Sequence, residues 1–135
     1  MAVYVDLVSI EQWRSGSITG RIAFRFGELW FPEADWSDFP VVVLEWWLSA
    51  LDGTGEVLRF MDGPFSVVVD RVAGSARLMS GDVLVAEVDV DFDQLRRAVL
   101  RAGRSVIERC GDLGVTNADV DALRQRIASS KGMRA

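Results

Sequence analysis

The sequence predicts an α+β fold: an antiparallel sheet of about six to seven strands, one inserted apolar helix, and C-terminal helices packed on one face. Three observations predict it. Alternating runs between residues 56 and 90 are separated by Gly-containing links, the pattern of an antiparallel meander. Residues 39–51 carry apolar side chains at helical spacing on almost every side. Cap signals at Asp91 and at Thr116 to Asp119 open helices near the C-terminal end. A chain of 135 residues is long enough for one domain with a real core, and residues 129–135 are expected to form a frayed tail.

The elements follow in order. Residues 3–8 and 18–26 read as two strands around a Ser15-Gly16-Ser17 turn. In the second, Ile18, Ile22, Phe24 and Phe26 share one face, and Arg21 and Arg25 share the other. A short strand at Leu29 to Phe31 stops at Pro32. The first helix is expected from about Ser37, with Asp35 or Ser37 as cap and Pro40 in its first turn. Phe39, Val42, Val43, Trp46, Trp47 and Ala50 form one apolar stripe, and Val41, Leu44, Leu48 and Leu51 a second. Only Asp38, Glu45, Ser49 and Asp52 interrupt them, a polar line roughly 60° wide. Such a helix needs wide cover, from its own sheet or from another chain.

Asp52-Gly-Thr-Gly55 ends that helix, and the strand candidates are then 56–61, 65–72, 76–79 and 83–90. Asp91 and Gln94 read as the N-cap and N3 positions of a capping box. The helix they open runs to about Cys110, with Leu95, Val99, Ala102, Val106 and Cys110 on its buried stripe. Arg97, Arg101 and Arg104 lie opposite, and Arg104 is spaced to pair with Glu108. A last short helix carries Val120, Leu123 and Ile127.

Composition excludes more than it assigns. There is no histidine, so Ser-His-Asp and Cys-His catalysis and the His-Glu-x-x-His zinc motif are absent. The single Cys110 permits no internal disulfide. Asp89, Asp91 and Asp93 alternate, but the full calcium-loop pattern is missing, and they read as a strand end and helix caps. No catalytic residue, no metal ligand and no cofactor is therefore expected, and the chain reads as a non-enzyme. Residues 1–95 carry 16 acids against six bases, whereas the last forty carry four acids against nine bases. The acidic body argues against nucleic-acid binding, because phosphates require positive charge. No segment has the roughly 20 apolar residues of a membrane span, and the N-terminus lacks a secretory pattern. Together these predict a cytoplasmic protein.

One stretch stands out for function. Glu28 to Asp52 holds four of the five tryptophans. Within it, Glu28, Trp30, Glu33, Asp35, Trp36, Asp38 and Glu45 are the candidate partner-binding residues, because protein interfaces use rigid aromatic anchors ringed by charge. The plainer alternative makes the rings core and the acids caps. Phe31-Pro32, Trp36-Ser37-Asp38-Phe39-Pro40, Trp46-Trp47 and Met61-Asp62-Gly63-Pro64-Phe65 give residues 24–70 a look that resembles the small acidic immunity proteins of bacterial toxin–immunity systems. The resemblance implies neutralisation of a toxin by occlusion, with another protein as partner, in particular a basic toxin domain. The alternative is a homo-oligomeric structural or regulatory module, a homodimer with helix 39–51 as its seam.

Overall fold

In the computed structural model, which describes residues 2–132, the chain forms eight strands and three helices. Strand β1 spans Ala2–Gln12, β2 Ile18–Phe26, β3 Leu29–Phe31 and β4 Ser37–Asp38. Helix α1 follows at Pro40–Asp52. The meander is β5 Val57–Arg59, β6 Phe65–Asp70, β7 Ser75–Ser80 and β8 Val83–Asp89. Helices α2, Phe92–Leu113, and α3, Ala118–Gly132, complete the fold. The expectation of an α+β fold with antiparallel pairing holds.

The expected single sheet is instead two sheets of four strands. In the first, β2 is central. It pairs with β1 on one side, and on the other with β3 through Phe24–Phe31 and β4 through Gly20–Asp38. The second sheet runs β5-β6-β7-β8, each strand antiparallel to the next. Aromatic packing joins the sheets where strand pairing does not. Phe24 stacks on Trp47 at 4.6 Å between ring centres, and Phe60 meets Phe24 edge-on at 5.9 Å and Phe31 at 6.2 Å.

Helix α1 fills the centre. Val41, Val43, Leu44, Trp47, Leu48 and Leu51 are buried, and α2 and α3 pack across it. Its polar line does not face solvent. Glu45 meets Arg126 of α3 at 3.4 Å, and Asp52 meets Arg96 of α2 at 2.7 Å. Asp52 also accepts the Ser130 hydroxyl. Arg71 closes the end of the helix by donating to the carbonyls of Ala50 at 3.0 Å and Gly55 at 2.8 Å. A cation there suits the negative end of the helix dipole.

The start of α1 differs from expectation. Neither Asp35 nor Ser37 caps it; Ser37 and Asp38 are a strand, and the N-cap is Phe39 with no side-chain cap bond. Proline drives the residue before it out of helical geometry, and Phe39 is accordingly at φ −113°, ψ 83°. At α2 the Asp91 carboxylate accepts from the Gln94 amide at 2.9 Å, the N-cap half of the expected capping box; the return bond to the Gln94 side chain is absent among the described residues. That helix ends at Leu113, three residues later than expected, with Gly114 left-handed at φ 68°. Asn117 caps α3 by accepting from the Val120 amide at 2.8 Å. Residues 129–132 are helical rather than frayed, and 133–135 lie outside the described residues. Arg104 and Glu108 make no ion pair among the described residues; Arg96 and Arg126 do, with acids of α1. Among the described residues no helix is long and apolar enough to cross a membrane.

Candidate protein-binding surface

The seven candidate residues do not share one surface. Glu28, Glu33 and Asp35 are exposed, on the β2–β3 turn and the loop after β3. Trp30 is half-buried on the outer side of the first sheet. It meets Tyr4 edge-on at 5.4 Å, and the Arg25 guanidinium lies 5.3 Å from its ring centre. This aromatic–cation patch leaves Tyr4 and Leu29 open to solvent beside Glu28.

Asp38 belongs to the interior and Trp36 is half-buried against the core, which corrects their reading as surface contacts. Trp36 packs edge-on against Phe65 at 5.1 Å. Its indole donates to Asp38 at 2.9 Å. Asp38 is only 2% exposed and also accepts the amides of Phe39 at 2.8 Å, Met61 at 3.2 Å and Asp62 at 3.1 Å. A buried carboxylate is tolerated when donors surround it in this way. Gly63 fits beneath Trp36 at φ +72°, where an added Cβ would come within 3.2 Å of both the Trp36 and Phe65 rings. Glu45, half-buried, is held by Arg126 of α3.

The outer edge of α1 holds what sequence reasoning missed. Trp46 is 42% exposed, whereas Trp47, one residue on, is fully buried with its indole donating to the Arg59 carbonyl at 2.7 Å. Phe39 and Val42 are half-buried on the same edge, and Met61 from the link between β5 and β6 continues it at 49% exposed. Two shallow hollows of about 80 and 40 Å³ run along this strip, sharing Val42 and Asp119. Glu45 and Asp119 border it, and exposed Asp62 follows Met61 in the chain. The signal was available: Phe39, Val42 and Trp46 lie at i, i+3 and i+7. The second stripe, Val41, Leu44, Leu48 and Leu51, faces the core, and so do Val43 and Trp47 of the first.

Chemically this surface offers apolar area and negative charge. Among the described residues, no three Asp, Glu or Cys side chains converge as a metal site. Asp91, one of the three alternating acids, is engaged by the Gln94 amide. Cys110 is buried, and burial pushes its thiol pKa up while nearby Arg124 pulls weakly against it. Comparison with protein-family models, curated proteins and solved structures finds no match.

Proposed function

We propose that this protein is non-enzymatic and acts by binding another protein and covering it, in the manner of an immunity protein that occludes a toxin. The observation that carries the reading is the strip of Phe39, Val42, Trp46 and Met61 left uncovered beside Glu45, Asp119 and Asp62. Large rigid side chains in a charged border are what interface cores use. The exposed acids Glu28, Glu33 and Asp35 extend the negative field around it. Between residues 28 and 62 the exposed charges are the five acids Glu28, Glu33, Asp35, Glu56 and Asp62 against one base, Arg59. The partner surface is therefore basic, and charge brings it in before apolar contact holds it.

The test is affinity capture from the source cell with the wild type, Trp46→Ala and the double variant Glu33→Lys/Asp35→Lys, followed by association kinetics. One stoichiometric basic partner is expected. Trp46→Ala should speed its dissociation. The charge-reversed variant should slow its association strongly at low salt and little at high salt. Recovery of the chain alone, or a partner held equally by all three proteins, overturns the reading.

A further inference from the structure

We infer that the free edge of β8 is a strand-pairing site for an extended, basic segment of another protein. Strand β8 closes the second sheet and is hydrogen-bonded as a strand only to β7. Among the described residues no side chain bonds to it, and of its side chains only Ala86 and Val88 lie against the core. Both of its faces meet solvent over the first half: Val83 is 66% exposed, Leu84 53% and Val85 51%. An edge of seven residues offers roughly 23 Å of backbone donors and acceptors. Extended peptides add to such edges through main-chain bonds, and alternate side chains give selectivity.

The charge on this edge selects the occupant. Residues 82–93 hold five acids, Asp82, Glu87, Asp89, Asp91 and Asp93, and no base. Beyond the register shift at Leu78–Met79, Leu84 stands opposite Met79, while Glu87 stands opposite Arg77. An incoming strand thus meets apolar side chains at one end of β8 and carboxylates at the other. A second copy paired in parallel would set Glu87 and Asp89 of β8 against their own kind, and like charges directly opposite are destabilising. Charged side chains and a bulge are the devices by which sheet edges avoid their own kind. Here they turn away copies of the chain and leave the edge open to lysine- or arginine-bearing strands. The site does not depend on the α1 strip, and Trp46→Ala serves as its control.

The probe is a synthetic peptide of about ten residues alternating Val and Lys, within the length of ordinary strands, with a Val–Glu peptide for comparison. Amide exchange followed by NMR should show residues 83–89 slowed at least about tenfold by the Val–Lys peptide, with the protein still monomeric. The Val–Glu peptide should have no such effect. Leu84→Lys and Val85→Lys, each at an exposed position, should weaken binding at least about fivefold, because each sets a new positive charge against the lysine-bearing peptide. Trp46→Ala should leave it unchanged. The inference is overturned by equal action of both peptides, by protection mapping elsewhere, or by unaltered binding in both lysine variants. It is equally overturned by a doubled mass with β8 protected in the free protein, which would make a second copy the occupant.

Discussion

The Asp38 carboxylate accepts the Asp62 amide at 3.1 Å, so one acid of the first sheet holds the backbone of another in the link between β5 and β6. The adjacent Met61 amide binds the same carboxylate at 3.2 Å. Strand pairing does not connect the two sheets at this point; the Asp38 side chain does.

Asp38→Asn should therefore destabilise the protein. The amide has one accepting oxygen where the carboxylate had two, and it faces donors with a donor. Bonds to charged groups contribute about 1.5–3 kcal/mol each, so a loss of about 2–4 kcal/mol is expected in urea denaturation. Asp35→Asn, at an exposed position, should change stability by less than about 0.5 kcal/mol.

The Asp52–Arg96 pair is buried, with side chains 5% and 14% exposed. Removing either partner strands the other, so Asp52→Ala or Arg96→Ala should each cost about 3–5 kcal/mol. The double variant should cost clearly less than the two together, and a double-mutant cycle on denaturation midpoints checks this. Simple additivity would mean that the ions are held independently.

Adjacent tryptophans should behave as opposites. Trp47→Ala removes a fully buried ring and an indole bond, and should cost about 3–5 kcal/mol. Trp46→Ala should cost less than about 1 kcal/mol while weakening partner binding. Thermal denaturation and binding measured on the same two variants separate fold from surface.

Two groups give pH dependence of opposite sign. Burial raises the Cys110 pKa above its ordinary 9.0. The stability this supplies is full below 9.0 and is lost as pH climbs from there through the raised value. Cys110→Ala should flatten the alkaline limb of the stability curve, and the native thiol should resist alkylation that the unfolded chain undergoes at once. The Arg21 guanidinium, bonded to Asp6, lowers that carboxyl below 3.8. Its contribution is present above 3.8 and fades as pH falls through the lowered value. Asp6→Asn should remove only that acid limb, and only slightly, because the pair is solvent-facing.

Local chemistry was legible in the chain. Gly links marked the meander turns, Pro32 ended β3, and Asp91 with Gln94 opened α2. Pairing partners were less so. Alternation tells which residues share a face, but not that β2 would take three partners while β5 paired only with β6. The polar line of α1 misled because acids at helical spacing read as a solvent face; here Glu45 and Asp52 turn toward Arg126 and Arg96, residues far along the chain. That reversal is also why Trp46, grouped with the core by its spacing, lies open. Asp38 read as a partner contact because its role depends on amides from Met61 and Asp62, which spacing cannot reveal.

The cover over β1 has a consequence for synthesis. Arg109 of α2 donates to the Leu7 carbonyl at 3.1 Å across 102 positions of sequence, and Asn117 reaches the Gly16 carbonyl at 2.8 Å across 101. Both sheets come from unbroken stretches of chain, and their ladders can close while the ribosome is still at work. Helix α2 cannot reach β1 until residues 92–113 have emerged. Strand β1 therefore waits longer for its cover than for its partner strand, and Val3, Val5 and Leu7 stay bare on the nascent chain until then.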